Sequence, residues 1–325
     1  MVIRKTVAVL FGATLVFAQS ALAQTYPTKP VTMIVPYAAG GPTDTVARVM
    51  AQAMIKPLGQ TVVVENRPSA GGIIGPETVK NARPDGYTIL IHHIGMATTP
   101  ALYRKLSFNP VEDFAPIGMI NDVPMTLIAR GNFPAKDFKE FLAYIKANKD
   151  KVTYANAGIG AASHLCGMLF MSAIQTDMLT VPYKGTAPAM NDLLGGQVDF
   201  MCDQTTNTTA QIKSGKVKVY AVTSRKRVAS LPDVPTLDEL GLKGFDVGIW
   251  HALYAPKGTP KAAIDKLVTA LQEGVKDYTV RKRFADLGAE AVPLDKANPA
   301  ALAAHLKAEI NKWGPIIKKA GVYAD

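Results

Sequence analysis

A glycine pair lies between an apolar run and a predicted helix, in the stretch PYAAGGPTDTVAR at residues 36–48. The first N–H groups of a helix have no intrahelical acceptor, and the helix dipole places about half a positive charge there. Glycine lets a ligand oxygen approach such N–H groups closely. Gly40 and Gly41 therefore predict an anion-binding turn, with Thr43 as the helix cap and Asp44 beside it. The alternative is a tight strand-to-helix turn that binds nothing.

A second stretch, VTYANAGIGAASHLCGMLF at residues 152–170, repeats this pattern in the other half of the chain. It also predicts a strand, a glycine-rich loop and a helix with apolar periodicity. Two such loops on opposite sides of a cleft would present two helix starts to one ligand. The repeat therefore predicts a two-sided binding site.

Neither glycine loop fits a nucleotide-binding motif. A P-loop needs a lysine and a spacing that both loops lack. The segment GIGAAS, residues 158–163, approaches the dinucleotide motif GxGxxG but ends in Ser163. The expected acidic residue, Asp177, precedes the next predicted strand instead of ending it. We therefore expect no nucleotide and no other cofactor.

Catalytic and metal sites are also poorly supported by the residue pattern. Ser163 and His164 are adjacent, and neighbouring helical side chains point about 100° apart, so His164 is badly placed to deprotonate Ser163. The sequence has no GxSxG nucleophile motif. His92 and His93 end a predicted strand, where alternation sends them to opposite faces, and no zinc motif accompanies them. The pattern predicts a binding protein with no metal, in which one of these histidines is a pocket wall.

The N-terminal residues predict a cleavable signal peptide. Arg4 and Lys5 precede an apolar run at residues 7–17, and residues 21–23 fit a signal peptidase site, so residues 1–23 are expected to be removed. The run is too short to favour the alternative, a membrane anchor of about 20 residues. The mature chain has no later membrane span in its sequence and is expected to be periplasmic.

The composition favours a small anionic ligand over nucleic acid. The chain has 325 residues, and loss of Arg4 and Lys5 lowers its formal charge from +10 to +8. The basic clusters at residues 225–227 and 281–283 are short and lack interleaved aromatic residues, so they predict solvated helix faces or turns. With 48% hydrophobic residues, a chain of this length is expected to form two domains.

The sequence contains two cysteines, Cys166 and Cys202. In an oxidising compartment an even number of cysteines permits one disulfide. Because their spacing does not show that they meet, two buried free thiols remain the alternative.

Short β-rich runs alternate with helical patterns, which predicts an α/β fold with largely parallel sheets. Apolar residues three and four apart predict core-facing helices at residues 138–145, 264–275 and 302–313. No low-complexity linker divides the chain, so we expect it to cross between domains more than once. The predicted strands are residues 31–37, 61–65, 87–92, 125–130, 152–156, 179–183, 198–202 and 217–223.

Six sequence motifs carry a family resemblance over nearly the whole mature chain. They are YPTKPVTMIVPYAAGGPTDTVAR, VVVENRPSAGG, ARPDGYTIL, VPYKGTAPAMNDLLGGQVDFMCD, KVYAVTSRKRVASLPDVPTLDELG and YAPKGTP. Together they resemble the Bug, or tripartite tricarboxylate transporter, family of periplasmic solute-binding proteins. The resemblance implies an α/β, type II periplasmic binding protein fold with a ligand cleft between two lobes. Lobe one would comprise residues 24–124 and 246–325, and lobe two residues 125–245.

The resemblance also implies that one loop from each lobe grips a ligand carboxylate through backbone amides and ordered water. Other strand ends of an α/β sheet add pocket walls. Asp203 would accept a donor from the ligand or from a hydroxyl such as that of Thr205; the alternative is a solvated turn. The candidate ligand-binding residues are Tyr37, Ala38, Ala39, Gly40, Gly41, Thr43, Asp44, His93, Ile94, Gly95, Asn156, Ala157, Gly158, Ile159, Gly160, Ala161, Ser163, His164, Tyr183, Lys184, Gly185 and Asp203.

The implied function is capture of an organic carboxylate, either a di- or tricarboxylate, an amino acid or an aromatic acid. A hinged cleft would close on the ligand and deliver it to a tripartite tricarboxylate-type membrane transporter. The expected partners are this ligand and the transporter's membrane subunits, and the mature chain is expected to be a monomer outside the membrane. A sensor module for a two-component signalling system is the first alternative, and a periplasmic enzyme with the same cleft is the second.

Overall fold

The computed structural model describes residues 26–324. The predicted signal peptide, residues 1–23, lies outside this range. The strands are β1 (Val31–Val35), β2 (Val62–Asn66), β3 (Thr88–His93), β4 (Phe114–Arg130), β5 (Thr153–Asn156), β6 (Leu179–Pro182), β7 (Phe200–Gln204), β8 (Val217–Val222), β9 (Gly248–Pro256) and β10 (Glu290–Ala291). The helices are α1 (Pro42–Leu58), α2 (Ile74–Lys80), α3 (Gly95–Leu102), α4 (Phe138–Ala147), α5 (Ala162–Ile174), α6 (Thr186–Leu194), α7 (Thr205–Lys213), α8 (Lys261–Lys276), α9 (Tyr278–Asp286) and α10 (Pro299–Ala320), and a 3-10 turn spans Ala70–Gly72.

The ten strands join in one sheet whose pairings fall into two sets. The first sheet half contains β1, β2, β3, β9, β10 and β4 up to Pro124. The second sheet half contains β4 from Met125 onward, with β5, β6, β7 and β8. Among residues 26–324, no helix has both the length and the apolar composition needed to cross a membrane.

Strand β4 changes its partner within one step along the chain. Pro124 lies opposite Gly248 of β9, whereas Met125 lies opposite Gln204 of β7. The change coincides with the predicted lobe boundary after residue 124. The assignment of lobes itself stays a prediction.

The prediction of a largely parallel sheet is wrong. Strand β1 pairs in parallel with β2 and β3, and β5 with β6 and β7, but β4 and β9 run antiparallel to their partners. The sequence pattern missed β9 and the first part of β4. The register of β4 with β9 shifts between Pro116 and Gly118 and between Met119 and Asn121. Such bulges let proline and glycine lie inside a strand.

The other predicted elements agree with the structure. Seven of the eight predicted strands are present with ends shifted by at most two residues, and the eighth is the last part of β4. The three predicted helical stripes direct residues such as Phe141, Leu267 and Leu306 into one large apolar core. Periodicity of three and four residues therefore located the helices correctly because each helix buries a single face.

The carboxyl ends of five strands gather helix starts at the junction between the two sheet halves. Helices α1, α3, α5, α6 and α7 follow β1, β3, β5, β6 and β7 directly or after a short loop. Because β1 and β3 run opposite to β5, β6 and β7, the helix starts of the two halves point their unpaired N–H groups toward the junction from opposite sides. This arrangement positions the site described below.

Cys166 of α5 and Cys202 of β7 form a disulfide, with 6.1 Å between their Cα atoms. Both side chains are buried. The bond therefore fixes the helix that begins at Ala162 to the strand that carries Asp203.

Removal of the disulfide is expected to destabilise the chain without changing the fold. The bond closes a loop with a sequence separation of 36 residues, which corresponds to about 3–4 kcal/mol of unfolding free energy in the chain-entropy description. The double substitution of Cys166 and Cys202 to alanine should show this loss in urea denaturation. A free-thiol assay on unfolded, unreduced wild-type protein should find no thiols, and two titratable thiols would contradict the assignment.

Candidate functional site

A small buried cavity lies where four helices begin. Its volume is about 20 Å³. Helices α1, α5, α6 and α7 each contribute residues of their first turn or N-cap to its wall. Because each helix start carries unpaired N–H groups and a partial positive charge, four converging starts favour an anion. The lining residues are Tyr37, Pro42, Thr43, His93, Ala157, Ala161, Ala162, Ser163, Thr186, Asp203 and Gln204.

The α1 turn is organised by its own side chains. The N-cap residue is Gly41, with no side-chain cap, so the prediction that Thr43 caps the helix is wrong. The Thr43 hydroxyl instead lies 3.3 Å from Nε2 of His251. Gly40 is exposed, has φ +81°, and donates its N–H to Asp44 at 2.9 Å. The free donors of this turn are therefore the N–H groups of Gly41, Thr43 and Asp44.

The Asp44 carboxylate stays ionised inside this turn. Burial raises its pKa, but hydrogen bonds from Arg48 and from the Gly40 N–H outweigh burial, so its pKa lies below its ordinary value. Arg48 binds the carboxylate at 2.9 and 3.0 Å through two nitrogens. Asp44 therefore shapes the loop, and its charge is already paired.

The α5 loop is also held by its own side chains. Asn156 Oδ1 accepts the Gly158 N–H at 2.8 Å, and Ser163 Oγ accepts the Ala157 N–H at 2.9 Å. The amides of Ala157 and Gly158 are thus engaged within the loop, as is that of Ala161, which donates to the Gly158 carbonyl at 3.1 Å. The donors left for a ligand are the N–H groups of the first turn of α5, which include those of Ala162 and Ser163.

The two sheet halves touch through backbone groups beside the cavity. The hydrogen bonds that cross between them include four of 2.9 to 3.0 Å from residues 38–103 to loops of the second half, and three of these four end on carbonyls of the α5 loop. Many of the predicted site residues take part in this contact and do not line the cavity. The bonds run from Ala38 N to Lys184 O, Gly71 N to Ala157 O, Tyr103 Oη to Ile159 O and Thr98 Oγ1 to Gly160 O.

Three neighbouring histidines lie behind the cavity, and burial lowers the pKa of each. The pKa falls to about 4 for His92, to about 3 for His251, and well below its ordinary value for His93. The rings of His92 and His93 are in edge contact, 4.9 Å between centroids, so the expectation that they point to opposite faces is wrong. Strand β3 ends at His93, and His92 Nδ1 turns to accept the His93 N–H at 2.8 Å.

Unpaired oxygen atoms mark the α7 side of the cavity. Asp203 Oδ1, Gln204 Oε1 and Thr186 Oγ1 are buried and have no hydrogen-bond partner among residues 26–324. The other oxygen of Asp203 accepts from Asn207 at 2.6 Å. The prediction of a Thr205 partner is wrong, because that hydroxyl donates to the Gly288 carbonyl at 3.0 Å.

Asp203 is 1% exposed, so the alternative of a solvated turn is wrong as well. Burial raises the pKa of its carboxyl from 3.8 to about 6, and the Asn207 amide, the Gln204 N–H and the Thr186 hydroxyl oppose this shift only in part. A buried carboxylate with one free oxygen is costly unless a donor meets it. The site therefore offers acceptors as well as the donors of the helix starts.

The predicted site residues fall into two groups. One group lines the cavity: Tyr37, Thr43, His93, Ala157, Ala161, Ser163 and Asp203. The other lies outside the lining, in the loops that shape it: Ala38, Ala39, Gly40, Gly41, Asp44, Ile94, Gly95, Asn156, Gly158, Ile159, Gly160, His164, Tyr183, Lys184 and Gly185. The Lys184 side chain is exposed, and burial lowers the pKa of His164 to about 4.

Four lining residues were missed by the sequence reasoning: Pro42, Ala162, Thr186 and Gln204. Thr186 and Gln204 follow predicted strand ends. The rule that ligands bind at the carboxyl ends of strands located Tyr183 to Gly185 and Asp203, and one more residue in each loop would have included Thr186 and Gln204. His251, which contacts Thr43, lies on β9, and that strand was not predicted.

Comparison with known proteins agrees with this architecture. The family model described as tripartite tricarboxylate transporter family receptor matches residues 46–322. A protein of Agrobacterium vitis, described as a UPF0065 protein in the TAR-I ttuE-ttuC' intergenic region, is 50% identical over 97% of this chain and 91% of its own length.

Two solved structures are similar over almost their full length. The periplasmic binding protein BugD is 59% identical, with a TM-score of 0.90 over 92% of this chain and 99% of that chain. MatC from Rhodopseudomonas palustris with bound malate is 40% identical, with a TM-score of 0.87 over 90% of this chain and 100% of that chain. The chain belongs to the family of tripartite tricarboxylate transporter receptors, which are periplasmic solute-binding proteins.

Proposed function

We propose that this protein captures a small organic acid in the cavity between its two sheet halves. The observation that carries the proposal is the convergence of four helix starts on one buried space. A carboxylate there accepts from the first-turn N–H groups of α1 and α5, with the α6 and α7 starts adding their dipoles. These donors belong to rigid helices, so little ordering is needed on binding.

The ligand carries a hydroxyl or amino group besides its carboxylate. Asp203 Oδ1 and Gln204 Oε1 are acceptors without partners, and either group of the ligand would supply the missing donor. Malate, the acid bound in the MatC structure, has two carboxylates and one hydroxyl group. The chemistry of this cavity thus matches a substituted dicarboxylate better than an aromatic acid, which has fewer polar groups.

Binding requires the cavity to open and close. A volume of about 20 Å³ holds roughly one or two water molecules, so any organic acid must enter while the loops are apart. We propose that lobe one, residues 24–124 and 246–325, rotates against lobe two, residues 125–245, about the two crossings of the chain. Closure follows because the ligand contacts more donors in the closed state than in the open one.

The closed protein then delivers the acid to the membrane subunits of a tripartite tricarboxylate-type transporter. The description of the matching family supports this partner. The predicted signal peptide supports export to the periplasm, where such a receptor meets its transporter. Loss of uptake of the acid in a deletion strain, restored by the cloned gene, is the expected result of a transport assay.

Ligand-dependent melting tests the binding step directly. A ligand that binds only the folded state adds about 2.7 kcal/mol of stability at 100 times its Kd, so it raises Tm. We expect malate and aspartate to raise Tm strongly, succinate less, and citrate and benzoate little. Calorimetric titration of the positive acids gives their Kd values. A protein stabilised by none of these acids, or by uncharged solutes alone, would contradict the proposal.

A further inference from the structure

The imidazole of His93 is held in one orientation by its neighbours. Its ring stacks on Tyr37 with 4.9 Å between centroids and 16° between planes. The His92 ring meets it edge-on at 4.9 Å, and the His251 ring at 6.0 Å. The side chain is 2% exposed, and His93 lines the cavity.

A backbone group fixes which nitrogen of His93 carries the proton. The Gly95 N–H lies 2.9 Å from Nδ1 of His93 and donates to it. A backbone N–H can only donate, so Nδ1 must be the unprotonated nitrogen. The neutral ring therefore carries its proton on Nε2. A second proton on Nδ1 would point at the Gly95 N–H, and burial together with the adjacent His92 and His251 opposes that charge.

The Nε2–H group has no protein acceptor outside its own residue. Among residues 26–324 no hydrogen bond from His93 Nε2 to another residue is found, although the side chain is buried. An acceptor atom of a ligand in the cavity, beside Thr43 and Ser163, would meet this N–H.

We propose that His93 is a fixed, uncharged donor that gives its Nε2–H to a carboxylate oxygen of the bound acid, and that Gly95 is the positioning residue that selects this tautomer. The inference rests on the proposed function and names one group that recognises the acid. It adds a side-chain donor to the backbone donors of α1 and α5.

The rings of His92 and His93 lie so close to position 95 that they leave no room for a side chain there. A Cβ there would lie 2.7 Å from Cε1 of His92, and 3.1 and 3.2 Å from Cε1 and Nδ1 of His93. The backbone of Gly95 is not left-handed, so its conformation does not require glycine. Glycine at this position is explained by the close approach of the imidazoles to the start of α3.

Two substitutions of His93 test the roles of Nδ1 and Nε2 separately. In His93→Asn the amide oxygen replaces Nδ1 and keeps the Gly95 bond, but no donor reaches the position of Nε2. In His93→Gln the longer side chain places an amide N–H near that position. With malate as the probe in calorimetric titration, we expect a loss of affinity of about 10- to 100-fold for His93→Asn and substantial recovery for His93→Gln. Equal affinity of His93→Asn and wild type would overturn the proposal.

The tautomer is read directly from imidazole ¹H–¹⁵N correlation spectra of the ligand-free protein. We expect the His93 signals of a ring protonated at Nε2 alone, and a shift of the Nε2–H resonance when malate is added. A ring protonated at Nδ1 would overturn the role of Gly95. Gly95→Ala should weaken malate binding, although alanine favours the helix more than glycine does.

Failure of this inference is distinct from failure of the proposed function. If wild-type protein binds none of the acids in the melting screen, the proposed function fails, and the donor role of His93 fails with it. If wild-type protein binds malate and His93→Asn binds it equally well, the receptor function stands and the donor role alone is wrong.

Discussion

Replacement of Gly158 by valine is expected to abolish ligand binding while leaving the chain folded. A Cβ at this position would lie 2.8 Å from backbone atoms of Ala70 and would collide with the nitrogen of Gly71. The collision lies between the two sheet halves, so opening of the cleft relieves it. Opening also breaks the bond from Gly71 N to Ala157 O and its neighbours, each worth about 0.5–1.5 kcal/mol.

We therefore expect a loss of affinity of at least about 100-fold, measured by calorimetric titration with malate. Small-angle scattering should show a radius of gyration that no longer decreases when malate is added. The matched control is Gly196→Val, because Gly196 also has a positive φ, +76°, but no atom lies within 4 Å of its Cβ position. Both substitutions carry a similar backbone cost of about 1–2 kcal/mol, so only the contact between halves differs. Wild-type affinity in Gly158→Val would show that closure is not needed for binding.

Asp203→Asn is expected to change which acids bind. The amide oxygen retains the bond from Asn207, which is 2.6 Å long in the wild type, and the NH₂ group then faces the cavity where an acceptor was. The ammonium group of aspartate can only donate and then meets a donor, and the hydroxyl of malate loses the charged acceptor for its proton. We expect a loss of about 10- to 100-fold for malate and aspartate. Succinate, which lacks that donor, should change by less than about threefold, and an equal loss for all three acids would contradict the assigned role.

The same substitution should stabilise the ligand-free protein at neutral pH. Burial raises the pKa of Asp203 in the folded state from 3.8 to about 6, so between these values the folded state holds a proton that the unfolded state has released. The contribution of Asp203 to the free energy of unfolding therefore falls as the pH rises through that window. At pH 7.5 we expect Asp203→Asn to exceed wild type by up to about 3 kcal/mol in urea denaturation, and the difference to vanish near pH 4.

Comparison of wild type with Asp203→Asn separates the pH dependence of stability due to Asp203 from that due to the buried histidines. His92 and His251 have lowered pKa values, about 4 and about 3, so their contribution to stability is lost as pH falls. That trend runs opposite to the trend of Asp203 and is common to both proteins. A wild-type protein as stable as the variant at pH 7.5 would show that the carboxylate is paired in the ligand-free state.

Local sequence determined many of the strands, helices and turns of this protein. Apolar periodicity located eight of the ten strands in whole or in part and the helices α4, α8 and α10, because a helix buries one stripe and a strand alternates its faces. The glycine turns before α1 and α5 were readable because an unpaired helix start next to glycine is a local feature. The six motifs carried the family resemblance, which the family match over residues 46–322 confirms.

Local sequence did not determine what the glycine amides bind. Those of Gly40 and Gly158 are occupied by Asp44 and by Asn156, partners only a few residues away whose rotamers no pattern reveals. The donors available to a ligand are instead the first-turn N–H groups of the helices that follow. The pattern thus located the turns, and the contact that we propose lies at the helix starts and not at the amides of Gly40 and Gly158.

Tertiary structure alone decided how many helix starts meet at the site and which side chains face it. Thr186 and Gln204 come from separate strand ends, and the opposed strand directions of the two sheet halves bring their helices to the same cavity as α1. The strand β9 places His251 beside Thr43. Such contacts join residues far apart in the chain, and they depend on strand order and register, which a local pattern of residue types does not encode.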